Sequence, residues 1–324
     1  MNMLNQIKMP IACEFEAFTK TFDTAFSSSH DILLRSVMDH VHCQVGKQIR
    51  PIFTLLAAKL CGEINENTLR VAAAYETLHT ASLIHDDVVD NTMQRRGQPS
   101  ANALFDNKVS ILAGDYLLSK AIAFISDTRN PELFAKLCSL GQTLAEGELL
   151  QLQHAYSIPT EDEYISIIRR KTAILFSVTA ESAAMTVQAS DRQIEALRLF
   201  SDAMGICFQI KDDIFDYTPN AQIGKPTLND IREGKITLPL LHALRQIPTT
   251  ESNRILEKAK RNEFSDEYFY GIGSLVAKHH GIEYAECVID KYINIAKDSL
   301  AVFDDSPVKN ALLKLLGFTI TRSK

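Results

Sequence analysis

The sequence predicts a single large all-α domain, and three observations carry that expectation. Apolar residues recur mostly at helical spacing, sustained alternation of β-branched residues is hard to find, and glycine is scarce, 13 in 324 residues. Few glycines mean few tight turns, which favours long helices over many short strands. Leu69, Ala72, Ala73, Leu78, Ser82 and Leu83 form one stripe, with Tyr75 slightly off phase. Asn130-Pro131 reads as an N-cap followed by proline at the first helical position. Thr160 and Glu163 fit a capping box, and Ser306-Pro307 is another start signal. Pro219, Gly224, Pro226 and Gly234 mark residues 217–239 as a long loop, and residues 248–252 read as a shorter one. No repeat, low-complexity tract or linker interrupts the chain, so residues 1–324 are expected to form one domain of about ten or more antiparallel helices around a central cavity.

Composition narrows the function classes. Apolar residues make up 46% and charged residues 23%, which excludes a disordered chain. With 40 acids against 34 bases the net charge is −6, so no broad nucleic-acid surface is expected. Cys13, Cys43, Cys61, Cys138, Cys207 and Cys287 show no C-x-x-C spacing and are expected to be buried apolar fillers in a reduced compartment. The first ten residues lack a signal-type apolar stretch, and no run approaches the ~18 apolar residues of a membrane span. A cytoplasmic location is therefore expected.

The chemistry is concentrated in two aspartate segments. In Leu83-Ile84-His85-Asp86-Asp87-Val88-Val89-Asp90, helical geometry puts Asp86 and Asp90 one turn apart on one face, with Asp87 beside them. Like charges at that spacing destabilise a helix by ~0.2–0.5 kcal/mol per pair, so something must offset them. Phe208-Gln209-Ile210-Lys211-Asp212-Asp213-Ile214-Phe215-Asp216 repeats the D-D-x-x-D spacing, again in an apolar helical stretch. Carboxylates set among apolar residues are costly unless paired or metal-bound. Two identical clusters suggest two walls of one site. Their hard oxygen ligands, with no His/Cys set at zinc spacing, favour magnesium. Magnesium keeps waters and uses one or two carboxylates plus substrate phosphates, which points to a diphosphate substrate.

Cations surround these clusters. Lys47 and Arg50 sit three residues apart in Gly46-Lys47-Gln48-Ile49-Arg50-Pro51, and Arg95-Arg96-Gly97 follows the first cluster. Lys171-Thr172 lies in an apolar helix, and Lys225 and Lys235 lie in the long loop. Arginine grips phosphate through paired hydrogen bonds and lysine supplies a point charge. The set suffices for two diphosphates, one held by metals and one by side chains alone.

These motifs, together with His79-Thr80-Ala81-Ser82, Gly114-Asp115-Tyr116-Leu117, Gly147-Glu148 and Gly224-Lys225 with Asp230, give a chain that resembles the trans-isoprenyl diphosphate synthases, the polyprenyl synthetase family. The resemblance runs from Gly46 to Arg322. It implies the all-helical isoprenoid synthase fold, a homodimer, and head-to-tail condensation of an allylic diphosphate with isopentenyl diphosphate. It implies about two or three magnesium ions per site. By resemblance Asp86, Asp90 and Asp212 bind those ions, with Asp87, Asp213 and Asp216 in support. Arg95, Lys171, Lys225 and Lys235 look like allylic-side cations, and Lys47, Arg50, His79 and Arg96 like the isopentenyl diphosphate site. Thr172 and Gln209 would face the reacting carbons. Gln48 departs from the family, which often carries a basic residue there.

Product length is read from the helix of the first cluster. Ala81 and Ser82, one turn before Asp86, are both small, where short-chain relatives often place an aromatic. A long chain beyond farnesyl, of the kind used for a quinone tail, is expected, with transient membrane contact as the product leaves. Phe134, Leu137, Cys138 and Leu144 are candidates for the floor of the cavity. Geranylgeranyl or farnesyl products are the alternatives. A His-Asp phosphohydrolase leaves the second cluster unexplained, a terpene cyclase leaves Lys47, Arg50 and Arg96 unexplained, and a regulatory subunit should have damaged aspartate motifs.

Overall fold

The all-α class holds in the computed structural model, which describes residues 3–27, 31–217 and 228–321 apart from the side chain of Asp266. Among the described residues the strands are Gln94–Arg95 (β1) and Gln98–Pro99 (β2), one antiparallel pair. The helices run in order α1 Met3–Lys8, α2 Ala12–Asp23, α3 Ile32–Cys43, α4 Ile49–Cys61, α5 Glu66–Val89, α6 Ala101–Ser126 and α7 Pro131–Gln153. There follow α8 Glu161–Ile168, a π-helical turn at Arg169–Ala173, α9 Ile174–Thr186 and α10 Asp191–Phe215. Then come α11 Asn229–Arg232, α12 Leu238–Leu244, α13 Thr249–Lys260, α14 Asp266–Lys278, α15 Gly281–Ser299 and α16 Pro307–Thr321.

Two compact units divide the chain. The first takes Met1–Ser139, Val178–Leu197 and Val302–Leu315, and the second takes Leu140–Ser177, Arg198–Ala301 and Leu316–Lys324. Nothing in the local sequence marks these boundaries, because those at 139, 177, 197 and 315 fall inside helices rather than in linkers.

In the first unit α5 packs against α6, α2 and α4. Asn65 starts α5 with a capping box, its Oδ1 accepting from the amides of Asn67 and Thr68 while Thr68 Oγ1 accepts from the Asn65 amide. From Val71 to Leu78 the helix is buried on every face, not along one stripe. Ala72, Ala73 and Ala74 let neighbours approach closely there, and the off-phase Tyr75 is fully buried with its hydroxyl 2.8 Å from Ser182 Oγ. In the second unit Ile210 and Ile214 of α10 share a core with Leu238, Leu241, Ile272 and Ile289.

The caps read from sequence are present. Asn130 Oδ1 accepts from the Glu132 and Leu133 amides, Thr160 and Glu163 close a capping box, and Ser306 Oγ accepts from the Lys309 amide. Other expectations need correction. The loop over residues 217–239 contains α11, and Pro239 is the second residue of α12, where a missing N–H costs nothing. Residues 249–252 begin α13 for the same reason, with Pro248 as its N-cap. Of the cysteines only Cys207 is buried; Cys61 is half-buried and Cys13, Cys43, Cys138 and Cys287 are exposed. Helix α6 is long and apolar enough by length and composition to cross a membrane, which single-residue runs concealed. Leu104, Ile111, Leu112, Leu118 and Ile122 are exposed along it.

Candidate active site

Both aspartate segments end a helix. In the first unit α5 stops at Val89 and Asp90 is its C-cap, its amide donating to Asp86 O at 2.8 Å. In the second unit α10 stops at Phe215, and the Asp216 amide donates to Asp213 O at 3.2 Å. The carbonyl end of a helix already carries partial negative charge. Three carboxylates added there raise the electrostatic cost further, which cationic and N–H partners must offset.

The buried member of the first segment has a guanidinium. Asp87 is 3% exposed, and Arg95 Nε donates to its Oδ1 and Oδ2 at 3.0 and 2.8 Å while Nη2 donates to Oδ1 at 2.7 Å. Arg95 reaches it from the β1–β2 hairpin. The register pairs Arg95 with Gln98, so Arg96 and Gly97 form a two-residue turn with φ of 53° and 76°. Positive φ at both positions is the turn that matches strand twist, and it explains the glycine. The same turn sends Arg96 to another wall, where its Nη1 donates to Gln44 O. A Cβ on Gly46 would lie 2.5 Å from the Arg96 guanidinium carbon, so a side chain there would push the guanidinium from its place.

Arg50, in the first turn of α4, donates through Nη1 to His79 Nε2 at 2.7 Å. Burial, then the Arg50, Arg96 and Arg95 charges, hold the His79 pKa well below the ordinary imidazole value. The ring is therefore a neutral acceptor. One cavity is lined by Gly46, Glu76, His79, Asp87, Arg95 and Arg96, with Val45, Leu83 and Ile84 as its apolar wall. Thus Arg50, His79, Arg95 and Arg96 come together, and Lys47 stands exposed three residues before Arg50. Gln48, the family departure, has φ of 51° at the α4 N-cap and makes no side-chain capping bond. His85 lies against α6: its Nε2 is 3.2 Å from Ile111 O and 3.6 Å from Asp115 Oδ1. A Cβ on Gly114 would lie 2.2 Å from that nitrogen. His85 is thus engaged by α6, which a His-Asp phosphohydrolase reading does not explain.

In the second unit a chain of bonds orders the site. Thr172 Oγ1 donates to Gln209 Oε1 at 2.7 Å, Gln209 Nε2 donates to Asp213 Oδ1 at 2.8 Å, and Tyr164 OH donates to Asp213 Oδ2 at 2.6 Å. These bonds fix which way the Gln209 amide points. Burial pushes the Asp213 carboxyl up to about 7 against its two donors, with the Asp212 and Asp216 charges adding to the rise. Asp216 accepts from the Asn229 and Asp230 amides, one on each oxygen at 3.0 Å, and so holds the start of α11. Asp230 is raised well above the usual carboxylate range, by burial first and then by Asp213 and Asp216. Asp212 is half-buried.

Lys171 and Thr172 both ride on the π-helical turn. Lys171 Nζ is 2.6 Å from Glu148 Oε2 and 3.1 Å from Gln151 Oε1. A cavity beside them is lined by Gln151, Tyr164, Lys171, Thr172, Gln209, Asp213 and Lys235. Lys235 pairs with Glu233. Lys225 and Gly224 lie outside the described residues. Two glycines seat the turn: a Cβ on Gly147 would meet Arg170 Cβ at 2.9 Å, and one on Gly205 would meet Ala173 Cα at 2.5 Å. Gly205→Ala is expected to destabilise the protein by about 1–3 kcal/mol, the usual cost of overpacking, because the contact is with backbone. The urea midpoint checks this, and an unshifted midpoint contradicts it.

Sequence reasoning missed Tyr164, Glu76 and the pairing of Arg95 with Asp87. The first two are single residues without a spacing signature, and the third exists only once the hairpin has folded. Ala81 is 2% exposed, and Ser82 Oγ donates to His79 O at 2.9 Å. Of the floor candidates Leu137 is buried, Leu144 half-buried, and Phe134 and Cys138 exposed.

Among the described residues no three His, Cys, Asp or Glu side chains converge on a point that would hold a metal ion. Magnesium taken from one or two carboxylates and completed by phosphate oxygens and water needs no such cage. The donor set therefore suits an ion that arrives with its diphosphate.

Comparison with known proteins agrees with this chemistry. A family model described as polyprenyl synthetase matches residues 31–270. The all-trans-nonaprenyl-diphosphate synthase (geranyl-diphosphate specific) of Rhodobacter capsulatus is 35% identical over 319 residues, 98% of this chain and 97% of that one. The crystal structure of a polyprenyl synthase from Caulobacter crescentus, complexed with calcium and isoprenyl diphosphate, superimposes with a TM-score of 0.90 at 30% identity, over 98% of each chain. That of a geranylgeranyl pyrophosphate synthase from Bacteroides thetaiotaomicron gives 0.86 at 41% identity, over 99% of this chain and 100% of that one.

Proposed function

This chain belongs to the polyprenyl synthetase family, and from that premise we propose that it is a trans-prenyltransferase that extends an allylic diphosphate with isopentenyl diphosphate into a long-chain polyprenyl diphosphate, a quinone side-chain precursor. The observation that carries the reading is the pair of cavities with different chemistry. One gathers guanidinia and a neutral histidine, and the other gathers Lys171, Thr172, Gln209 and the second aspartate segment.

In the proposed mechanism magnesium, about two or three ions, would be held by Asp86 and Asp90 in the first segment and by Asp212 in the second. Bound magnesium supplies neutralisation of charge on the departing diphosphate. Lys171, Lys235 and Lys225 bind the remaining phosphate oxygens. The allylic C–O bond breaks and its electron pair leaves with the diphosphate. Thr172, whose proton is committed to Gln209, presents oxygen lone pairs to the allylic cation, a preorganised electrostatic effect. Arg50, His79, Arg96 and Lys47 orient isopentenyl diphosphate so that its π electrons form the new C–C bond. A proton then passes to the released diphosphate. Ile167, Ile168 and Ile236, which line the cavity with Thr172, would keep water from the cation.

Ala81 and Ser82 support the long product, as does the named product of the nonaprenyl relative. Geranylgeranyl diphosphate is the second reading, favoured by the 41% identity to the Bacteroides protein. The exposed apolar residues of α6 support a homodimer. Cytoplasmic placement, with transient membrane contact for product release, completes the proposal. Incubation with farnesyl diphosphate, labelled isopentenyl diphosphate and magnesium tests it. Labelled lipid longer than geranylgeranyl is expected. Label stopping at geranylgeranyl selects the second reading, and free phosphate or an unlabelled hydrocarbon overturns both.

A further inference from the structure

A buried phenol stands at the head of the bonds that end on Thr172. Tyr164 is the fourth residue of α8, whose capping box fixes where the helix starts. Its ring belongs to one buried core with Ile210, Ile214 and Ile231. The residue is 4% exposed, so its hydroxyl needs a partner inside the protein. Asp213 Oδ2 is that partner and accepts at 2.6 Å. Burial first, and then the Asp213 charge, hold the phenol pKa well above its ordinary value, so the hydroxyl keeps its proton and donates.

Among the described residues Tyr164 and Gln209 are the donors to the Asp213 side chain, one on each oxygen. A carboxylate only accepts, so Gln209 offers it Nε2 and turns Oε1 to Thr172, which must then donate. The two ends of a primary amide are nearly the same size. Rotated by half a turn, Gln209 would donate to Thr172, occupy one of its lone pairs and release its proton. Fixing the Asp213 carboxylate is what opposes that rotation. With the phenol bond gone, the carboxylate is held by Gln209 alone and can turn about its own side-chain bonds.

We infer that Tyr164 is a positioning residue which, by clamping the Asp213 carboxylate, locks Gln209 with its oxygen on Thr172 and so keeps the Thr172 lone pairs, not its proton, directed at the allylic cation. The inference rests on the proposed function and adds to it a residue whose hydroxyl is committed to Asp213.

A double-mutant cycle between Tyr164→Phe and Thr172→Val tests it, since each change removes a hydroxyl and keeps the shape. The readout is single-turnover condensation of farnesyl diphosphate with labelled isopentenyl diphosphate and magnesium. Tyr164→Phe is expected to slow condensation about tenfold, less than the roughly 10²–10³-fold loss when a stabilising group is removed outright. KM for both substrates should stay within about twofold, the pattern of an interaction made only in the transition state. In the Thr172→Val background the same change should alter the rate by less than about twofold, because no hydroxyl is left to orient. A merely structural role predicts equal slowing in both backgrounds. Neutron diffraction of deuterated wild-type crystals reads the same arrangement without any substitution, which covers a Tyr164→Phe protein that fails to fold. Deuterons are expected on Tyr164 toward Asp213 Oδ2 and on Thr172 toward Gln209 Oε1.

Equal slowing in both backgrounds, an undiminished rate in Tyr164→Phe, or a Thr172 deuteron directed into the cavity overturns the inference. A wild-type protein that incorporates no label contradicts the proposed function itself, a failure distinct from these.

Discussion

Asp212→Ala is expected to lower kcat by about 10²–10³-fold, the usual loss when one preorganised group that stabilises leaving-group charge is removed, while leaving the fold intact. Asp213→Ala is expected to cost stability as well. The difference follows from their surroundings. Asp212 is half-buried at the last turn of α10, whereas Asp213 is 4% exposed and ties Tyr164 to Gln209 and, through it, to Thr172. Removing Asp213 leaves a buried phenol and a half-buried amide N–H without their acceptor, which costs about 1–3 kcal/mol for each group stranded. Single-turnover rates with thermal unfolding of both variants check this. An Asp212→Ala enzyme with near-normal turnover contradicts the metal role of the second segment.

Ala81→Phe is expected to shorten the product sharply while the first condensation continues. Ala81 lies one turn before Asp86 and is 2% exposed, so a benzyl group there must project among the side chains beside α5. If the growing chain runs along that helix, the ring blocks it after few additions. Overpacking adds a destabilisation of about 1–3 kcal/mol, so a thermal midpoint should accompany the chromatogram. Ala81→Leu should give products of intermediate length. An unchanged product distribution in Ala81→Phe, with the protein folded, contradicts the assignment of the elongation path.

What the sequence makes legible is what local rules determine. Asn130, Thr160 and Ser306 cap helices because their side chains bond amides two or three residues away, and that geometry is contained in the spacing. The D-D-x-x-D spacing likewise sets Asp86 against Asp90. Sequence alone does not show that each segment ends its helix, which is where the carboxylates face the greatest electrostatic cost. The Arg95–Asp87 pair depends on a two-residue turn, and Tyr164 acquires meaning only from Asp213 on another helix. Tyr75 broke the helical stripe because its helix is buried on every side, so no single face exists for periodicity to report. Exposed Cys13, Cys43, Cys138 and Cys287 show the limit of residue-type averages.

In the proposed mechanism one diphosphate is held through magnesium and the other by side chains alone. Titration calorimetry of the wild-type protein tests it, with an unreactive thio analogue of farnesyl diphosphate and with isopentenyl diphosphate, each in magnesium and in EDTA. The allylic analogue is expected to bind only when magnesium is present, while isopentenyl diphosphate binds in both conditions. Equal binding of the allylic analogue in EDTA, or loss of isopentenyl diphosphate binding there, would contradict it.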